Sequence, residues 1–126
     1  MQNDDLKERT KKFALNIIKL VESLPHNNVA GIIGRQLLRS GTSVGANYRS
    51  ACKARSRADF ISKMGIVEEE ADETIYWLEL LVESKIVNDD QIQLLLRESN
   101  EITAIIVASI KTARKNSAIR NPHSAL

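Results

Sequence analysis

The chain has 126 residues, of which 43% are hydrophobic, enough for one domain with its own core. No apolar run is long enough to span a bilayer, the opening MQNDDLKERTKKF lacks the apolar centre of a signal peptide, and the single cysteine, Cys52, excludes an intrachain disulfide. These features predict a cytoplasmic protein off the membrane, and a net charge of +2 does not by itself imply a nucleic-acid partner.

Glycine is scarce, the two prolines are Pro25 and Pro122, and no stretch alternates as a strand would. The chain therefore reads as all-α. Helix 1 is predicted from about Asp4 to Leu24, with Asp4 and Asp5 at the positive end of its dipole. Phe13, Ile17, Leu20, Val21 and Leu24 form its apolar stripe. Pro25 to Asn28 breaks the pattern, because proline disfavours helical geometry in the residue before it.

Helix 2 is predicted after Asn28, taken as the N-cap, and runs to about Ala54. Ile33, Leu37, Val44, Tyr48 and Ala51 share its inner face. Its middle is built of small residues: Ser40, Gly41, Ser43, Gly45 and Ala46. Each glycine weakens a helix by roughly 1 kcal/mol relative to alanine, so a continuous helix here implies close approach of a neighbour; the alternative is a break near Gly41-Thr42. At about 100° per residue, Arg35, Arg39, Arg49 and Lys53 project opposite the core, with Thr42 and Ala46 between them. This basic stripe is either a solvated face or a phosphate-binding one.

Ser56 is the expected cap of helix 3, with Asp59 placed three residues on as in a capping box. Helix 3 is predicted to about Lys85, with Phe60, Met64, Val67, Ala71, Leu78 and Val82 on its core stripe. Ile66, Trp77 and Leu80 project from a different side, with Tyr76 alongside. A helix needs one apolar stripe to join a bundle. The second must be covered by a thick four-helix core or by another subunit, where aromatic residues are favoured. Asp89 or Asp90 is the expected cap of helix 4, which is read to about Lys115 along Ile92, Leu95, Ser99, Ile102, Ile106 and Ala113. Residues 1–116 form the bundle in this reading, and 117–126, with Pro122, a flexible tail. Long helices with short links predict an antiparallel up-down-up-down four-helix bundle.

Charge is polarised along the chain. Arg35 to Lys63 holds seven Lys or Arg against one acid, Asp59, and Glu68 to Glu83 holds seven acids and no base. The two blocks either neutralise each other across the hairpin or pair between subunits, as a head-to-tail ring would allow. Enzymatic motifs are lacking: there is no Glu-x-x-His for a di-iron centre, no glycine-rich phosphate loop and no Ser-His-Asp or Cys-His set. The reading is a non-enzyme with no cofactor and no metal. Glu68, Glu69, Glu70, Asp72 and Glu73 read as a solvated acidic face, and Cys52 as a small residue at the core edge.

GTSVGANYR (41–49), SRADFISKM (56–64) and EADETIYWLELL (70–81) stand in the order and spacing of one family. The chain resembles the four-helix-bundle proteins encoded by 23S rRNA intervening sequences, over about two-thirds of its length. The resemblance implies a ring, a homopentamer. It also implies kinship in fold with the accessory protein of diversity-generating retroelements, whose basic barrel binds nucleic acid and a reverse transcriptase. A partner of that kind, RNA or DNA together with a reverse transcriptase or other protein, is thus an expectation from resemblance. Arg39 and Arg49 fall in or beside the matched motifs as phosphate contacts, Asn47 as a structural amide, and Trp77 at the family's aromatic position. Ser50 departs from the family's glutamate.

Overall fold

The computed structural model describes residues 2–120, with the side chains of 5–88 and 90–116. All regular structure among them is helical: α1 (Gln2–Glu22), α2 (Asn28–Cys52), α3 (Arg57–Glu83) and α4 (Asp89–Arg120). α1 packs on α2 and α4, and α3 packs on the same two, so the helices close a four-membered ring around one core. The α1–α4 seam is the least extensive of the four contacts.

Each link ends one helix and starts the next by satisfying backbone groups. The N-cap of α2 is Asn27 rather than Asn28: its Oδ1 accepts from Ala30 N at 2.9 Å. Pro25 and His26 shift the turn by one residue relative to the sequence expectation. Ser56 caps α3 as expected, accepting from Asp59 N at 3.0 Å. The reciprocal bond of the box is displaced, since Asp59 Oδ2 accepts from Arg55 N at 3.3 Å and not from the cap itself. α3 closes on Lys85 in the left-handed region (φ 61°), with Ile86 N on the Leu81 carbonyl at 3.2 Å and Lys85 N on that of Val82 at 3.0 Å. This is the closure glycine usually provides, made here by a lysine whose side chain lies in water. α4 begins at Asp89, so the expected caps lie inside the helix, and it continues to Arg120, past the expected end near Lys115. The remainder of the expected tail, 121–126, lies outside the described residues.

α2 is continuous, and its glycines explain why. A Cβ on Gly41 would stand 2.9 Å from Ile17 Cγ2, one on Gly45 3.1 Å from Thr10 Oγ1, and one on Gly34 3.0 Å from Leu24 Cδ1. The small residues let α1 lie directly on α2, and that contact offsets their weak helix propensity. The stripes read from sequence are the core: Ile17, Leu37, Leu78 and Ile106 are fully buried. Each such side chain contributes about 1.5–3 kcal/mol. Leu6, Leu81 and Ile110 join them, and Val21, Ile33, Phe60 and Val82 are only partly covered. One buried serine or threonine comes from each helix among the described residues: Thr10, Ser40, Thr74 and Ser99. Thr10 donates back to the Leu6 carbonyl at 2.9 Å, and Thr74 Oγ1 lies 3.0 Å from Ser40 Oγ and 2.7 Å from the Glu70 carbonyl.

Candidate nucleic-acid interface

The outer face of α2 carries the basic stripe. Arg35, Arg49 and Lys53 are exposed and make no ion pair among the described residues. Thr42 donates to its own helix at the Leu38 carbonyl (2.7 Å), and Ala46 is exposed, so the centre of the face is low and smooth. Asn47 Nδ2 donates to the Ser43 carbonyl at 2.9 Å. Its amide nitrogen is thus engaged within α2. Cys52 is half-buried against the core.

Arg39 differs from the other three. Its Nη1 donates to both carboxylate oxygens of Glu70, at 3.2 and 3.3 Å, and its Nη2 pairs with Glu73. The hydrogen bonds to Glu73 and then Glu70 raise the guanidinium above its usual range. In return, Arg39 holds the Glu73 carboxyl below its usual value. The bonded pair Ser40 and Thr74 lies buried beneath, so adjacent residues of α2 and α3 meet in two tiers, one ionic and one dry. The two charge blocks therefore do neutralise each other across the hairpin at Arg39, while Glu69, Asp72, Glu79 and Glu83 face solvent.

The second stripe of α3 splits. Ile66 and Tyr76 are 44% and 53% exposed, whereas Trp77 is half-buried against the core and Leu80 is partly covered. Tyr76 meets Trp77 edge-to-face, ring centres 5.1 Å apart. Trp77 Nε1 is buried without a hydrogen bond of ordinary geometry, and the Glu73 carboxylate is the group it faces. Arg39, Glu73 and Trp77 thus join the basic face of α2 to the aromatic face of α3. That link was not visible in sequence, because 34 residues separate Arg39 from Glu73; only the adjacent charge blocks hinted at it. Among the described residues no group of three or more His, Cys, Asp or Glu is placed to hold a metal ion, and no helix is long and apolar enough to cross a membrane.

The family model described as "23S rRNA-intervening sequence protein" matches residues 2–108, which contain the whole of α2 and α3. The chain belongs to the 23S rRNA-intervening sequence protein family. A solved structure, a protein of unknown function from the S23 ribosomal protein family of Bacteroides thetaiotaomicron, is 40% identical and superposes with a TM-score of 0.82. The match covers 88% of this chain and 99% of that one. Among curated proteins nothing matches. The family match ends inside α4, at residue 108, so the last turns of that helix extend beyond it.

Proposed function

We propose that this member of the family is a cytoplasmic, non-enzymatic protein whose antiparallel up-down-up-down bundles assemble as a homopentameric ring and bind structured RNA or duplex DNA through α2. The observation that carries the reading is the row of exposed, unpaired Arg35, Arg49 and Lys53 on a smooth helix face. Repetition around a ring turns a small charge per chain into a strong local field. Binding is to phosphate and shape, with little base readout, because no aromatic side chain lies in the row to stack on bases.

The subunit contact is assigned to Ile66, Tyr76, Trp77 and Leu80. Exposed Ile66 and Tyr76, with Tyr76 edge-to-face on Trp77, support it, since aromatic residues are enriched at interfaces. A second reading, a protein-binding scaffold without nucleic acid, is favoured by one observation: Arg39, in the middle of the basic row, is already engaged by Glu70 and Glu73. A reverse transcriptase or another protein would then dock on the acidic α3.

The test is binding of labelled structured RNA and duplex DNA across a salt series, with Arg35→Ala/Arg39→Ala/Arg49→Ala/Lys53→Ala as comparison. The slope of log affinity on log salt is about −0.9 per phosphate neutralised on B-DNA. A steep slope that flattens in the variant supports nucleic-acid binding through α2. No binding at about 50 mM salt by assembled protein leaves the scaffold reading.

A further inference from the structure

A cleft of about 770 Å³ opens at the end of the α1–α4 seam, and none of Arg35, Arg39, Arg49 and Lys53 lines it. Its apolar wall comes from every helix: Leu6 of α1, Tyr48 of α2, Phe60 of α3 and Ile105 of α4. Small-molecule sites have this size and this lining, with a few polar groups converging on an apolar body. Two guanidinium groups line the same space, those of Arg9 and Arg57. Arg9 is held from the side: its Nε and Nη2 donate to Glu98 at 2.7 Å each, and Nη2 also to Glu101 at 2.7 Å, which leaves Nη1 without a carboxylate among the described residues. Arg57 has no ion-pair partner among the described residues, is half-buried, and is the first residue of α3, so its charge adds to the positive end of that helix. One acid, Asp5, is also in the lining and is exposed to solvent. On the α4 side Ile105 is joined by Ala108, Ser109, Thr112, Ala113 and Asn116. All but Ile105 and Ala108 lie past the family match, so most of this wall belongs to the part of α4 beyond it.

We propose that the cleft binds a small amphipathic anion, with a carboxylate or phosphate head at Arg57 and an apolar body between Leu6, Tyr48, Phe60 and Ile105. A half-buried arginine that makes no ion pair among the described residues is the feature that selects an anion, because a guanidinium paired with a carboxylate or phosphate gives the stronger, charge-assisted class of hydrogen bond. The apolar wall selects a hydrocarbon or aromatic body over a free inorganic anion. Ser109, Thr112 and Asn116 offer hydrogen bonds at the mouth. The site is independent of nucleic-acid binding, and its failure or success leaves the α2 reading untouched.

The test uses the full chain and the fluorescent probe 8-anilinonaphthalene-1-sulfonate, followed by displacement with decanoate, decyl phosphate, decanol and decyltrimethylammonium. Saturable binding of one probe per chain is expected, displaced by decanoate and decyl phosphate, more weakly by decanol, and not by the cation. Arg57→Ala should weaken decanoate at least tenfold and leave decanol unchanged. Ala108→Trp, at an exposed position that the core does not use, should fill the cleft and abolish probe binding while the helical circular dichroism and melting temperature hold. Inorganic phosphate alone should not displace the probe. The proposal is overturned by non-saturable probe binding, by binding that survives Ala108→Trp, by an unchanged decanoate affinity in Arg57→Ala, or by displacement with the cation as strong as with decanoate.

Discussion

Gly41 and Gly65 show how one residue type takes opposite roles in neighbouring helices. A Cβ at Gly41 meets three atoms of Ile17 within 3.3 Å, and a β-branched side chain in a helix has little rotamer freedom with which to move aside. At Gly65 a Cβ meets nothing within 4 Å. Alanine at position 65 should stabilise by about 0.5–1 kcal/mol through helix propensity alone. At position 41 the same gain is outweighed by overpacking, and a net loss of about 1–2 kcal/mol is expected. Urea unfolding of Gly41→Ala and Gly65→Ala checks both signs. Equal stabilisation in the two variants would show that α1 can retreat from α2, and close approach would then not be why α2 tolerates its glycines. In sequence, the glycines of α2 implied a close neighbour, but which helix it was could not be read from one strip of small residues.

The α1–α4 seam is the least extensive contact, and Arg9 bridges it to Glu98 and Glu101. Hydrogen bonds to these two carboxylates raise the Arg9 guanidinium above its usual range, and Arg9 holds Glu98 below the ordinary carboxylate value. A depressed folded-state value means a contribution present above the unfolded carboxylate pKa of about 4.3 and lost as pH falls through the folded one. Arg9→Ala should therefore cost about 1 kcal/mol at pH 7. The gap from wild type should narrow as pH falls below the unfolded carboxylate value and through the depressed folded value of Glu98, whose charge the pair needs. Denaturation midpoints of the two proteins from pH 7 down to pH 3 read this directly; a gap that stays constant would assign the role of Arg9 to packing of its stem and not to its charge. α3 presents the complementary case, where Arg39 joins α2 to Glu70 and Glu73 above the buried Ser40–Thr74 pair.

For the whole molecule the exposed Ile66 and Tyr76 set the test of assembly. Trp77→Ala together with Leu80→Ala should shift native mass toward monomer if this face joins subunits. Trp77 also rests on the chain's own core, so some loss of melting temperature accompanies the change in either case. Mass is the discriminating reading: an unchanged oligomer of lower stability would place these residues in the service of the intrachain core. The basic row is the second whole-molecule feature, since its field depends on how many copies present it, and the salt series measures that sum.

The period of the apolar residues was enough to determine four helices, their inner stripes and the caps to within a residue, because burial repeats with helical geometry and leaves its mark locally. GTSVGANYR, SRADFISKM and EADETIYWLELL, at positions 41–81, carried the family as well, since their order and spacing are properties of the string. Three things needed the folded chain. The engagement of Arg39 by Glu70 and Glu73 arises only when α2 and α3 lie side by side, and so does the division of the second α3 stripe into covered Trp77 and open Tyr76. The cleft between Arg9 and Arg57 draws on all four helices, so no window of sequence contains it. The physical reason is the same in each case. Periodicity says which way a side chain faces from its own axis, and only tertiary packing decides what stands opposite.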